Sequence, residues 1–405
     1  MVEEDHRVEN SRYLRLTNWP AVWAIFAGGL VAGAYMTKVA PALPGLRGEL
    51  GLTLVESGFI ATTFNLMGML VGMLAGVLCD RFGHKRFAVA GITILAAGGA
   101  LGAFAWGFGS LLFARFIEGV GFIAFTVSAV SLMNAAVTTP RDRARALGLW
   151  SSYMPTGGAI ALFAAPWLIA AWGWRGLWFV LSLFAVASAV TLVRTIPASP
   201  PAQVSSMRLV AESLASRGNL AMATLFAFYV AQWTSIMVWL PTFLIDEHRL
   251  SAGAAALATA LYVLINAPGN WTGGWLLARG VPRGRLIVAG AAIAALCEIG
   301  MLSGALPAAL RYPLVLVFSF SAGVIPAAVF SGLPRHARTP QHIGTGNGIV
   351  MQASQIGQFL GPLALAWIAT HLGGWHASLW ALLAFAGGAA ACGVAIGAIE
   401  NKIRS

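Results

Sequence analysis

Arg115 and Glu118 stand three residues apart in the apolar segment LLFARFIEGVGF, a spacing that puts both on one face of a helix and within reach of each other. A carboxylate beside a guanidinium can hold or release a proton, and the cation tunes when it does so. A second carboxylate, Glu298, lies in AALCEIGML with no cation at helical spacing. It is either protonated or paired with a polar group from another segment. Lys38 falls in the apolar stretch 19–41, three residues before Pro41. Ionisable groups in apolar runs are costly and mark functional sites by default. For Arg115 and Glu118 the functional reading is proton coupling, and the alternative is a static buried ion pair. Counting the helical rise from Trp19 puts Lys38 roughly 28 Å up, close to the far interface. There it either snorkels to the headgroups or turns inward and attracts an anion.

Neutral polar residues form a second set. Tyr229, Gln232, Trp233 and Ile236 make a stripe at i, i+3, i+4 and i+7, and Tyr262, Asn266 and Asn270 follow one turn apart around Pro268. Asn347, Gln352, Gln355 and Gln358 lie in a later run, and Asn65 adds another amide. Amides and aromatics with few fixed charges suit a small polar or amphipathic solute. The competing reading is that such amides bond helix to helix, worth about 1 kcal/mol each.

The elements that position these residues follow from composition. Of 405 residues, 58% are hydrophobic and 10% charged, against about 25% charged in soluble domains. Apolar runs of bilayer-spanning length fall near 19–41, 54–79, 87–107, 111–136, 145–171 and 177–194. They resume near 220–244, 253–277, 285–306, 312–333, 344–369 and 376–399. The expected fold is an all-α membrane protein of twelve transmembrane helices in two six-helix bundles, 19–194 and 220–399. A polar segment 1–18, a Pro/Ser-rich linker 195–219 and a tail 400–405 complete the chain. The bundles align at an offset near 200: Pro41 with Pro241, Leu50 with Leu250, Gly148 with Gly348 and Gly157 with Gly357.

The net charge of +11 does not signal nucleic acid. Most Lys and Arg fall in the loops and termini of one side, whereas Arg47, Arg175, Arg249 and Arg311 fall on the other. This asymmetry makes the basic side cytoplasmic and, with an even helix count, puts both termini there. The three cysteines show no CxxC spacing and the seven histidines no HExxH, so neither a disulfide framework, a metal site nor a catalytic set is expected. No GxxxxGK[ST] loop is present, so an ion gradient rather than ATP is the expected energy source. No ring of pore-lining residues points to a channel.

One motif occurs twice. GVLCDRFGHKR, from Gly76 through Asp80, Arg81, Gly83, Lys85 and Arg86, returns as GGWLLARGVPRG, with Gly274, Arg279 and Gly280 retained and Ala278 in place of Asp80. Gly83 suits a turn of positive φ, and Gly76 suits close approach of another helix. The pair of loops resembles the signature of the major facilitator superfamily, between helices two and three and again between eight and nine. The resemblance implies a latch on the cytoplasmic face, with Asp80 facing Gly344-Thr345-Gly346 and with Arg143 or Arg145 as further partners. Arg115, Glu118, Gly119 and Gly121 resemble the family's second signature. The resemblance places Glu298 on a peripheral helix, which favours a structural role for it.

It also implies a mid-membrane substrate cavity, lined here by Lys38, Asn65, Tyr229, Gln232, Trp233, Tyr262, Asn266, Asn270, Gln352 and Gln355. VWLPTFL and NAPGNWTGGWLLARGVPR are similar to the cyanate-porter branch, and Met154-Pro155-Thr156-Gly157-Gly158 resembles an exporter signature. The expected protein is a monomeric secondary transporter in a bacterial inner membrane, without cofactor or metal. It moves a small solute by alternating access with a proton gradient, through Arg115, Glu118 and Glu298. Uptake of a small anion or weak acid is preferred over efflux of amphipathic compounds.

Overall fold

A computed structural model describes residues 17–197, 207–302, 306–337 and 340–404. Arg7, Arg12 and Arg15, and the Pro/Ser-rich part of the linker, lie outside the described residues. Among those described there is no strand, and the helices form twelve rods. In the first half these are α1 (Trp19–Thr37 continued by Val39–Leu50), α2 (Leu54–Thr62, a 3-10 turn Thr63–Asn65, then Leu66–Phe82), α3 (His84–Ala103) and α4 (Phe108–Ala136). Then come α5 (Pro140–Ser151, continued from Tyr153) and α6, which ends at Thr195. A short helix, Met207–Leu214, lies in the linker. The second half holds α7 (Arg217–His248), α8 (Ala252–Ala278), α9 (Arg283–Leu302), α10 (Ala308–Ala322 continued by Val324–His336), α11 (Pro340–His371) and α12 (Leu379–Arg404 after a turn at Trp375–Ser378).

Among the described residues, nine helices are long and apolar enough to cross a membrane. The longest of these, Tyr153–Thr195, is two rods in one, because Trp172 and Gly173 (φ 63°) leave helical geometry and turn the chain from α5 into α6. The 3-10 turn shortens the apolar pieces of α2, and Gln352, Gln355 and Gln358 dilute α11. These rods are consistent with twelve passes.

Rods α1–α6 pack chiefly on one another, and α7–α12 do likewise; the halves meet along α2–α11, along α5–α8 and where the outer end of α1 reaches α7. Because lipid supplies no hydrophobic drive between helices, close backbone packing must hold them. A Cβ on Gly157 would lie 2.1 Å from the Leu30 carbonyl oxygen, wedging α5 off α1. The duplicate, Gly357, would lie 2.3 Å from the Ala227 oxygen, wedging α11 off α7. The same contact is therefore built twice. Phe104, Trp106, Trp172 and Trp380 are largely exposed near the outer ends of the rods, as an interfacial aromatic belt requires.

Candidate functional site

The i, i+3 spacing on α4 does bring Arg115 and Glu118 together: Arg115 Nη1 donates to Glu118 Oε2. A third charge completes the cluster. Lys38 Nζ lies 2.7 Å from Glu118 Oε1, and all three side chains have no solvent exposure. Lys38 does not snorkel. Its ammonium sits 3.9 Å from the Tyr35 ring centroid and 4.4 Å from that of Trp178 on α6. The expected position at the far interface fails because α1 does not end near Pro41 but runs to Leu50, leaving Lys38 inside the bundle.

Helix breaks shape this cluster. Pro41 has no N–H for the carbonyl of Thr37, and the ladder of α1 is interrupted at Lys38. Arg115 Nη1 takes a bond to the Tyr35 carbonyl beside that break, 3.2 Å. Its Nε donates to the Ile60 carbonyl, 3.1 Å, just before the 3-10 turn of α2. The guanidinium lies over the Phe64 ring at 4.6 Å. Tyr35 is tied to Ser182 (3.2 Å), which donates to the Ala96 carbonyl. Arg115 Nη2 is buried without a partner among the described residues. Two cations thus share one carboxylate. Sequence spacing pointed to Arg115 and Glu118 but gave no sign of Trp178 or Ser182.

The carboxy-terminal bundle is organised differently. Gln232, expected in the cavity, turns away from α8 and donates to Glu298 Oε1 at 2.6 Å and to the Leu382 carbonyl at 3.3 Å. Adjacent residues on a helix point about 100° apart, so the stripe divides between Gln232 and Trp233. Trp233 Nε1 donates to Ser319 Oγ (3.1 Å), and Ser319 Oγ donates to the Tyr262 carbonyl (2.7 Å). Tyr262 OH in turn donates to the Trp233 carbonyl (2.9 Å), and the two rings stack at 5.5 Å. Asn266 donates to the Ser319 carbonyl (2.9 Å) and accepts from Tyr229 OH (3.4 Å) and Asn270 Nδ2 (3.1 Å). These residues bind α7, α8 and α10 together. Trp233 and Asn270 keep partial exposure.

Between the halves, Gln352 Nε2 donates across to the Met69 carbonyl at 2.9 Å. Asn65 and Gln355 are buried on the same α2–α11 seam.

At the duplicated loops, Gly83 and Gly280 both adopt φ 87°, the positive value expected at Gly83. Gly274, by contrast, faces open space. Lys85 Nζ donates to the Val193 carbonyl at 3.0 Å and also to that of Ile196, capping the C-terminal end of α6. Arg81 and Arg86 are exposed, and Arg279 stacks on Trp275. In the second copy Arg283 donates to Glu400 at 2.7 Å and to Ser331 at 2.8 Å. Glu400 lies in α12, which continues through the predicted tail. The surroundings of Gly76 and Gly344 and the side chains of Asp80 and Arg143 lie outside what is described; Arg145 is exposed, 3.8 Å from Asp142. Among the described residues no group of three His, Cys, Asp or Glu could hold a metal.

Two six-rod bundles with a charged turn at corresponding places in each define an all-helical, multi-pass membrane architecture. The chain belongs to the Major Facilitator Superfamily, which it matches over residues 25–362. It is 22% identical to the Hexuronate transporter of Bacillus subtilis (strain 168), over 64% of each chain. It is 27% identical to the 3-(3-hydroxy-phenyl)propionate transporter of Escherichia coli (strain K12), over 84% of each chain. The match thus spans less than two thirds of the hexuronate transporter's length. The fold is that of a bacterial homologue of the human lysosomal transporter Spinster, inward-facing and occupied, with a TM-score of 0.74, 18% identity and 93% of both chains covered.

Proposed function

We propose that this chain is a secondary transporter that takes up a small organic acid by alternating access, coupled to protons and acting as a monomer in a bacterial inner membrane. Both termini lie in the cytoplasm in this reading, no cofactor is needed, and nucleic acid is not a partner. The two relatives carry organic acids by name, and the basic residues concentrate in the loops of one side.

The observation that supports coupling is the sharing of one fully buried carboxylate, Glu118, by two fully buried cations. A proton on Glu118 would leave Lys38 and Arg115 without a counter-charge. Like charges sharing one carboxylate repel by a few kcal/mol, on the order of 4 kcal/mol for a separation of about 4 Å at an effective dielectric of about 20. An arriving carboxylate offsets that repulsion, so proton and anion each favour the other's binding. Among the described residues Glu298 has no cation beside it, and it sits behind α7 with an amide partner, which suits a structural role.

Uptake into proteoliposomes under an imposed pH gradient, with a panel of small carboxylates, tests this reading. Accumulation that follows the inward proton gradient is expected. Gradient-independent rates would remove proton coupling, and acid-driven extrusion of amphipathic compounds instead would establish efflux.

A further inference from the structure

The seam between α2 and α11 holds three buried amide oxygens that lack a donor among the described residues: Asn65 Oδ1, Gln355 Oε1 and Gln358 Oε1. Their residues are 3%, 7% and 4% exposed. Contacts fix the register of the two antiparallel helices. A Cβ on Gly58 would meet Leu363 and Ala366, one on Gly68 would meet Gln355, and one on Gly72 would meet Gln352. Interpolation sets Asn65 level with Gln358, one turn from the Gly68–Gln355 contact. The three acceptors therefore fall within about one helical turn of each other along the seam.

A buried polar atom without a partner is unfavourable and calls for an explanation. Amides that merely join helices are hydrogen-bonded, as Gln352 is one turn nearer the cytoplasm. So are Gln232 and Asn266 inside the carboxy-terminal bundle. Of the four buried amide oxygens without a donor among the described residues, three cluster on the surface that must part during alternating access, at the depth where substrates bind in this architecture. The fourth, Asn219 Oδ1, sits at the start of α7 in a side chain whose Nδ2 donates to the Ser213 carbonyl. What the three on the seam lack is a hydrogen-bond donor. A cation is a poor candidate, because no carboxylate has been placed on this seam and the neighbouring cluster already holds two cations against one anion. Neutral hydroxyl groups fit.

We infer that Asn65, Gln355 and Gln358 form a subsite that accepts hydrogen bonds from hydroxyl groups of a hydroxylated carboxylate once α2 and α11 separate. The inference rests on the organic-acid reading above and divides the labour of recognition. Lys38 and Arg115 answer to the carboxylate charge, and the seam answers to hydroxyls. The two regions meet at one element. The 3-10 turn of α2 ends on Asn65 at the seam, while Phe64 and the Ile60 carbonyl beside it hold the Arg115 guanidinium.

Matched acids test the subsite, beginning with 3-(3-hydroxyphenyl)propionate against 3-phenylpropionate and extending to a hexuronate against its deoxy forms. Binding is measured with the purified full-length protein. The hydroxylated member should bind about tenfold more tightly, and Asn65→Leu and Gln358→Leu should each remove most of that preference while leaving the unhydroxylated acid within about threefold. Melting without ligand should hold steady or rise, since each change removes an unpaired buried acceptor. Equal wild-type affinity within the pairs, equal weakening of both members in the variants, or a requirement for sodium would overturn the subsite while leaving acid transport standing. Failure of every acid to bind would overturn both.

Discussion

The amino-terminal bundle gathers three buried charged side chains in one cluster, whereas the carboxy-terminal bundle buries the lone carboxyl of Glu298 against an amide and otherwise joins its helices at that level with amides, hydroxyls and stacked rings. Lys38, Arg115 and Glu118 have no exposure, and their charges do not cancel. Around Tyr262, Asn266 and Ser319, donors and acceptors are matched between α7, α8 and α10. Duplication preserved what the backbone demands. Gly157 and Gly357 admit the same close approach, and Gly83 and Gly280 make the same turn. Side-chain chemistry differs between the halves: one gathers two cations around one carboxylate, and the other joins α7, α8 and α10 by hydrogen bonds.

Substitutions can break this contrast. The largest loss of stability is expected for Glu118→Gln, which strands two buried cations and should cost about 3–5 kcal/mol, read as a fall in melting temperature of the detergent-solubilised protein. The double variant Lys38→Gln/Glu118→Gln restores the wild-type charge count and should recover much of that loss. In the other half, Asn266→Leu removes the bonds shared with Tyr229, Asn270 and Ser319 and should cost about 1–3 kcal/mol, with no dependence on salt or pH. Lys38→Met leaves Arg115 and Glu118 as a balanced pair, so its cost should be smaller than that of Glu118→Gln. Equal losses for the two single variants would refute the charge-imbalance account.

The smallest effect is expected at the outer end, where Glu49 accepts from Arg175 and Trp174. Those hydrogen bonds hold the Glu49 carboxyl below its ordinary range. A depressed folded pKa stabilises above the unfolded value of about 4.3 and is lost as pH falls through the folded one. Glu49 is half exposed, so Glu49→Gln should lower stability by under about 1 kcal/mol near pH 7. Once the pH has fallen below the folded-state value, the variant and wild type should melt alike.

Apolar runs and the repeated loop made the twelve rods legible, because span length and charge placement are properties of single segments. The Arg115–Glu118 contact was legible for the same reason. Lys38 was misplaced because its partner lies 80 residues away and because counting rise from Trp19 assumed that α1 ends at the interface. Gln232 was drawn into the cavity by a stripe whose neighbours only tertiary packing decides. Arg283 and Glu400 pair across 117 residues, and no local pattern announces such a contact. Ala278 showed that the second loop had lost its aspartate, but not that α12 would bring a carboxylate to its neighbour.

Proton uptake on substrate binding tests the central claim most directly. In weakly buffered solution, saturating the wild-type protein with a bound organic acid should draw close to one proton per anion, and Glu298→Gln should do the same. Glu118→Gln, which already resembles the protonated state, should bind the anion at least as tightly, take up no proton and lose the pH dependence of its affinity. Proton uptake that persists in Glu118→Gln, or vanishes in Glu298→Gln, would contradict the assignment of coupling to the amino-terminal cluster.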